Sequence, residues 1–133
     1  MRAVSPLLSL VVFAGFALLS VQGTQQTQTD QIEGLVRYVN DGDTFQILGH
    51  EYSIRLWGID APERGGETGQ DARTFMQDLI QGRVLTCEKK AVDKYRRTVA
   101  RCYLGERDIS KLVLDAGHGV EKCSFTSNAY GSC

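Results

Sequence analysis

Residues 54–63, with the sequence IRLWGIDAPE, decide the fold. Apolar residues alternate with Arg55 and Trp57 at the start of this stretch, which is the pattern of a half-buried β-strand. Gly58 and the Ala-Pro pair that follows predict a turn. We therefore expect Arg55 to project from a rigid strand, with Asp60 and Glu63 just beyond its end. Such a cluster alone is typical of a surface salt bridge, so the neighbouring segments carry the interpretation further.

Two further strands are predicted before this stretch, at residues 34–39 and 44–48, and the third strand itself at 51–57. In the first strand, strict alternation places residues 35, 37 and 39 on one face. Residues 40–42, with the sequence NDG, predict a tight turn because Asn, Asp and Gly tolerate left-handed backbone. Strands joined in this way bring the two acidic segments together only if the sheet curls.

A helix is predicted after the third strand. Thr68 is placed as its N-cap, and Asp71 completes a capping-box pattern. The apolar stripe of the helix has the spacing of a core-facing helix and consists of Ala72, Phe75, Met76, Leu79 and Ile80. Gly82 is placed where a helix ends. A second helix is predicted from residue 108 to 116, closed by Gly117.

The cysteine spacing predicts a disulfide-bonded hairpin. Residues 84–89 and 98–104 read as two strands, and a hairpin centred between residues 94 and 95 sets Cys87 opposite Cys102. The four cysteines allow three pairings, of which we favour Cys87–Cys102 with Cys123–Cys133. A zinc site is the weaker alternative, because the CxxC spacing is missing.

Five short strands with a helix between the third and fourth are typical of the oligonucleotide/oligosaccharide-binding (OB) fold. We therefore predict a mainly β fold with α, a five-stranded OB barrel with two packed helices. Its bounds are residues 34–120, followed by a disulfide-tethered tail at 121–133. The fold does not dictate the function, so the site must carry that prediction.

Three blocks of this chain resemble the staphylococcal nuclease (thermonuclease) family. They are residues 41–44 (DGDT), 54–63 and 93–97 (DKYRR), and the likeness runs in order from about residue 34 to residue 120. The resemblance implies a calcium ion held by the carboxylates of Asp43 and Asp60 and by the backbone carbonyl of Ala61. Hard oxygen ligands suit calcium, and they also suit manganese, so the metal stays open.

The resemblance also implies the catalytic groups. Glu63 would orient or deprotonate the attacking water, while Arg55 and Arg97 would clamp the phosphate. Lys94 and Tyr95 match residues that contact a terminal phosphate of the bound nucleotide. The implied activity is hydrolysis of phosphodiester bonds in DNA and RNA at the 5′ P–O bond, by a monomer. A guanidinium group binds two phosphate oxygens at once and stays charged, so lysine is a poor replacement for either arginine.

The C-terminal part departs from the family pattern. The third helix of the family has no predicted counterpart in residues 121–133, whose sequence shows no apolar period. The substrate-contacting tyrosine expected near Cys123 is missing, and Tyr130 is the candidate replacement if the tail folds back. The second cysteine pair is expected to hold this tail in place.

The N-terminal residues predict export. Arg2 precedes an apolar stretch at residues 7–19, which is shorter than the about 20 residues needed to span a bilayer. We predict a cleaved signal peptide at 1–23, a disordered polar leader at 24–33 and a periplasmic or secreted protein without membrane contact. An uncleaved N-terminal anchor is the alternative. Disulfide formation is consistent with export.

The charge balance excludes a strongly basic nucleic-acid-binding domain. The whole chain has a formal net charge of −1, so nucleic acid would need a local patch or a metal ion. The basic residues do cluster in one segment: Lys89, Lys90, Lys94, Arg96, Arg97 and Arg101. A catalytically inactive OB module that binds single strands or a protein is the alternative function. It normally carries several exposed aromatic residues on one strand face, whereas this chain carries the full set of catalytic residues. A disulfide-stapled structural domain would leave the placement of those residues unexplained.

Overall fold

A computed structural model of the chain describes residues 30–133, together with Val4, Val12 and Gly15. The predicted signal peptide, its anchor alternative and the polar leader up to residue 29 otherwise lie outside the described residues. None of the helices in the described part of the chain is long and apolar enough to cross a membrane.

The described chain contains eight strands and three helices. In order they are β1 (Gln31–Val39), β2 (Thr44–Ile47), β3 (Ile54–Leu56), β4 (Ile59–Asp60), α1 (Glu67–Ile80), β5 (Val84–Val92), β6 (Thr98–Leu104), β7 (Arg107–Asp108), α2 (Ile109–Asp115), β8 (Val120–Glu121) and α3 (Cys123–Thr126).

Five of the strands close into a barrel. The sheet runs in the order β3-β2-β1-β5-β6, and a parallel pairing of β3 with β6 joins its two edges. The other barrel pairings are antiparallel. The predicted five-stranded OB-type barrel is therefore confirmed, and the curl that the sequence required is present.

The barrel interior and the inner faces of α1 and α2 form one apolar core. The large, fully buried apolar side chains include Val36, Val39, Phe45, Ile54, Leu56, Ile59, Met76, Ile80, Leu85, Ile109 and Val113. The predicted inward positions of α1 at Ala72, Met76 and Ile80 are buried, and Phe75 and Leu79 are packed at the core edge. Burial of this apolar surface is the main favourable term for the fold.

The hairpin β5–β6 has the predicted register. Cys87 lies opposite Cys102, and the two form a disulfide bond whose sulfurs lie inside the core. A bulge between Lys89 and Ala91 then shifts the pairing by one residue toward the turn. The second expected bond, Cys123–Cys133, is also present.

The predicted alternation of the first strand is wrong. Strand β1 begins at Gln31, so it takes in the last residues of the predicted polar leader. A register shift between Val36 and Tyr38 breaks the period, so that Val36 and Val39 are buried while Tyr38 is exposed. Bulges of this kind bend a strand, which a closed barrel requires. The third strand is also shorter than predicted and covers only Ile54–Leu56.

The predicted N-cap of the first helix is wrong as well. The helix α1 begins at Glu67, with Gly66 as its N-cap and no side-chain capping bond. Glu67 in the first turn places a negative charge near the positive end of the helix dipole. Gly69 lies against the Glu63 carbonyl, where an added Cβ would come within 2.0 Å of the oxygen. The start of α1 is thus set by packing against the segment that carries Glu63.

The tail holds a third helix that the sequence did not predict. Strand β8 pairs with β4, and α3 follows as a single turn. The carboxylate of Glu121 accepts hydrogen bonds from Thr126, Ser132 and the Tyr130 amide. Partial desolvation acts to raise the pKa of Glu121, but these hydrogen bonds lower it to about 2. The tail is therefore an ordered part of the domain.

Removing the core disulfide should destabilise the barrel. We expect the Cys87→Ala/Cys102→Ala protein to lose about 3 kcal/mol of unfolding free energy, because the crosslink restricts the unfolded chain. Guanidinium denaturation followed by circular dichroism measures this loss. The control is Cys123→Ala/Cys133→Ala. This exposed crosslink holds only the tail, which can detach while the barrel stays folded, so we expect a smaller loss of unfolding free energy. A loss below about 1 kcal/mol for the core pair would contradict the prediction.

Candidate active site

One open cleft, of about 880 Å³, collects the metal-binding, catalytic and phosphate-binding residues that the family resemblance predicted. The predicted residues that line it are Asp43, Arg55, Asp60, Ala61, Glu63, Lys94, Tyr95 and Arg97. Further lining residues that matter below are Trp57, Lys90, Lys122 and Phe125. Arg97 therefore lines the same space as the three acids Asp43, Asp60 and Glu63.

Strand pairing brings these segments together. Arg55 lies opposite Thr44 on β2 and beside Val99 on β6, so β3 stands between the acidic turn and the hairpin that carries Arg97. The Leu56 amide donates to the Asp43 carbonyl at 2.8 Å. The Ala61 amide donates to Oδ2 of Asp43 at 2.8 Å. These bonds fix the acidic turn and the end of β4 to one another.

Arg55 contacts both carboxylates on the acidic side of the cleft. One terminal nitrogen contacts Oδ2 of Asp43 at 3.2 Å and also hydrogen-bonds Oδ1 of Asp60. The other terminal nitrogen donates to the carbonyls of Leu56 and Ile59, at 2.8 Å each. Arg55 therefore holds both carboxylates on one side of the cleft, where they share a single guanidinium group.

Asp43 is the most deeply buried acid of the cleft, with 7% of its surface exposed. Burial raises the pKa of Asp43 to about 6, although the Arg55 guanidinium and the Ala61 amide both act to lower it. The other oxygen of this carboxylate accepts from the Thr44 hydroxyl at 3.1 Å. A carboxylate in such a position is stabilised further by any cation that binds beside it.

Asp60 stands at the end of β4 and is half exposed. Its Oδ1 contacts Arg55, and its Oδ2 lies 3.3 Å from Nζ of Lys122. The pairing of β4 with β8 sets Asp60 opposite Val120 and brings Lys122 to this position. The tail therefore supplies a cation that no sequence pattern predicted at this position.

Glu63 is exposed and lines the cleft beyond Asp60. Its segment is held from two sides: Gly69 packs against its carbonyl, and Nε of Arg64 donates to the Asn40 carbonyl at 2.7 Å. An exposed carboxylate on a fixed backbone can accept a proton from a water molecule in the cleft.

The turn of the β5–β6 hairpin positions Arg97. The Asp93 carboxylate accepts from the amides of Tyr95 and Arg97 and from Nε of Arg97, the last at 2.6 Å. Although desolvation opposes it, these bonds lower the pKa of Asp93, which keeps the carboxylate charged. Arg96 has a left-handed backbone, with φ at 66°, and its side chain stacks on Tyr52 instead. The turn thus separates the two adjacent arginines, and Arg97 alone lines the cleft.

The acidic side of the cleft fits a hard divalent cation. Asp43 and Asp60 offer carboxylate oxygens drawn together by Arg55, and the backbone at Ala61 lies beside them. Two carboxylates and a carbonyl leave room for water and a phosphate oxygen on an ion of this type. Among residues 30–133, no group of three or more His, Cys, Asp or Glu side chains is placed to hold a metal ion, so an ion here would depend on two carboxylates, backbone oxygen and water. The described donor set therefore favours an open oxygen site over a sulfur or histidine site.

The aromatic residue that faces the cleft from the tail is Phe125, not Tyr130. Tyr130 is buried against Trp57, with ring centroids 6.0 Å apart, so its predicted role at the substrate is wrong. Phe125 is 67% exposed and lines the cleft. The sequence offered no periodicity in the tail from which this orientation could be found.

Replacing Asp43 with Asn should stabilise the protein at neutral pH. A raised folded-state pKa means that the wild-type unfolding free energy falls as the pH rises from about 4 to about 6. In EDTA, we expect the unfolding free energy of Asp43→Asn relative to that of wild type to rise by about 2–3 kcal/mol from pH 4 to pH 7.5. Denaturation at the two pH values measures it. Asp78→Asn, at an exposed position of α1, is the control. Equal pH profiles for wild type and Asp43→Asn would contradict the prediction.

The chain matches one known protein family and is similar to several known proteins. The family described as "Staphylococcal nuclease homologue" matches residues 53–129, which include β3 to the tail but not the acidic turn. A probable endonuclease LCL3 from Clavispora lusitaniae is 38% identical over 77 residues, covering 50% of this chain and 33% of that protein. An uncharacterized endonuclease from Haemophilus influenzae is 30% identical over 82 residues, covering 59% of this chain and 46% of that protein.

A third relative comes from a plant. The probable staphylococcal-like nuclease CAN4 of Oryza sativa is 34% identical over 73 residues, covering 55% of this chain and 15% of that protein. The chain thus spans less than half of the length of each of these three relatives. The family match covers more than half of the chain, and the chain therefore belongs to the staphylococcal nuclease homologue family.

Proposed function

We propose that this protein is a calcium-dependent nuclease that hydrolyses phosphodiester bonds in DNA and RNA. The observation that carries the proposal is the cleft itself, which brings two shared carboxylates, an exposed glutamate and Arg97 to one space. The names of the relatives, which describe endonucleases, support the same activity. Positioning and charge stabilisation are the main contributions that such a site makes to phosphoryl transfer.

Asp43, Asp60 and the Ala61 carbonyl would hold the calcium ion. When bound, the ion supplies positive charge that neutralises the phosphate and favours attack on phosphorus. Asp43 is suited to this role because its buried carboxylate lacks solvent stabilisation. Arg55 would hold the two acids together for one ion, because its guanidinium contacts both carboxylates. Its predicted role in clamping the phosphate stays part of the proposal and would require a terminal nitrogen to leave these contacts.

Glu63 would accept the proton of the attacking water. Arg97 would bind the phosphate, because Asp93 anchors it through Nε and leaves both terminal nitrogens for two phosphate oxygens. Lys94 and Tyr95 at the hairpin turn would contact a terminal phosphate of the nucleotide. Stabilising charge in the transition state with one such donor is worth about 10²–10³ in rate.

Export from the cytoplasm is part of the proposal. Two disulfides in a domain of this size favour an oxidising compartment, either the periplasm or the exterior. A monomer acting on nucleic acid outside the cytoplasm accounts for both the disulfides and the cleft.

The test is digestion of a plasmid, a single-stranded oligonucleotide and an RNA by purified residues 24–133. We expect cleavage of all three with calcium and its loss in EDTA, because the ion supplies the charge next to the phosphate. Gel electrophoresis measures the products. Cleavage that persists in EDTA would exclude the calcium role, and binding without cleavage would favour the inactive OB module.

Single substitutions test the assigned roles. We expect Glu63→Gln and Arg97→Lys each to lower kcat by at least about 10², because one removes the proton acceptor for the water and the other removes bidentate stabilisation of the charge that develops on the phosphate. The control for the second variant is Arg96→Lys, since Arg96 stacks on Tyr52 instead of lining the cleft. Thermal unfolding checks that all three variants fold. Wild-type kcat in Glu63→Gln or Arg97→Lys would reject the role of that residue.

A further inference from the structure

Lys122 is a cleft residue that the family resemblance did not assign. Its ammonium group lies 3.3 Å from Oδ2 of Asp60, and its side chain is 37% exposed. It also stands 5.2 Å from the ring centroid of Phe125. Lys122 thus faces the cleft beside a carboxylate that is proposed to hold the ion.

The backbone fixes this position. The Lys122 amide donates to the Gly58 carbonyl at 2.8 Å, directly after the β4–β8 pairing. Gly58 has a φ of 83°, and an added Cβ there would meet Thr126 at 2.7 Å and the Tyr130 ring at 3.0 Å. The tail therefore packs closely on the strand that carries Asp60, and the aliphatic stem of Lys122 starts from a rigid point.

A divalent ion that binds Asp60 must compete with the cationic side chains that already contact this carboxylate. Its two oxygens are contacted by two cations, Arg55 on Oδ1 and Lys122 on Oδ2. Arg55 is held by four contacts, whereas the flexible stem of Lys122 lets its ammonium move. A divalent ion at Asp60 would repel the ammonium group. A phosphate bound in the cleft would then offer the displaced group a new negative partner.

We propose that Lys122 is a further phosphate-binding residue, whose ammonium group neutralises Asp60 before the divalent ion binds and then contacts the substrate phosphate. This inference rests on the proposed nuclease function. Lys122 opposes binding of the ion alone and favours binding of the ion together with a nucleotide. Its removal therefore changes the two affinities in opposite directions.

Calorimetric titration of Lys122→Gln separates the two effects. Without nucleotide, we expect calcium to bind about threefold to fivefold more tightly than to wild type, the range for a partly exposed ion pair. With saturating calcium, we expect deoxythymidine 5′-monophosphate to bind about tenfold more weakly, because a charged hydrogen bond is lost. The nucleotide carries a phosphate but no diester, so binding is measured without cleavage.

Two variants serve as controls. Lys90→Gln removes a lysine of the same cleft that is 38% exposed and lies 3.3 Å from Glu88, so calcium affinity should stay within twofold of wild type. Lys122→Arg keeps the charge and should retain most of the nucleotide affinity. Thermal unfolding of Lys122→Gln should match wild type, since the backbone contact with Gly58 remains.

Each outcome decides the inference. Equal calcium and nucleotide affinities in Lys122→Gln and Lys90→Gln would overturn it, as would weaker calcium binding in Lys122→Gln. If wild type still cleaves nucleic acid in calcium, only the role of Lys122 has failed. If wild type neither binds calcium nor cleaves, the proposed function has failed as well.

Discussion

The parallel pairing of β3 with β6 is the constraint on which the rest of the structure depends. It joins the two edges of the sheet through only three residue pairs, and the flanking amides of Trp57 and Thr98 add hydrogen bonds to the same ladder. Ile54 and Leu56 point into the core from this short strand, while Arg55 points outward. In an open sheet, the acidic side and the Arg97 hairpin would lie at opposite edges. Closure makes them neighbours, and apolar burial stabilises the closure.

In the closed barrel, the buried position of the Asp43 carboxylate lowers the unfolding free energy at neutral pH. Asp43 is buried and keeps its charge only through Arg55, the Ala61 amide and the Thr44 hydroxyl. A buried carboxylate such as Asp43 is expected at a site where a bound cation stabilises its negative charge. The stable apolar core and disulfide of the barrel offset the cost.

The sequence predicted those parts of the fold that follow from local pattern. The spacing of apolar residues predicted the buried face of α1 at Ala72, Met76 and Ile80, and the hairpin centre predicted that Cys87 lies opposite Cys102. The bulge after Val36 was missed because it follows from barrel curvature, and no single strand encodes that. The start of α1 was missed for a similar reason, since Gly69 packs on a distant carbonyl and overrides the Thr68 cap signal. The resemblance to the nuclease family predicted the residues that line the cleft, whereas the positions of Lys122 and Phe125 depend on how the tail docks.

The docking of the tail shows how a helix of four residues becomes a wall of the cleft. A helix this short is not stable alone, so other contacts must hold it. They are the Cys123–Cys133 bond, the buried Thr126 and Tyr130 that pack on Gly58, and the Glu121 carboxylate with its hydrogen bonds. Because the pKa of Glu121 is lowered to about 2, this anchor persists at neutral pH and is lost only as the pH falls toward that value. Phe125 gains little burial from the arrangement and stays exposed at the cleft. The tail is thus held by covalent and polar anchors behind it, which leaves Lys122 and Phe125 free to face a ligand.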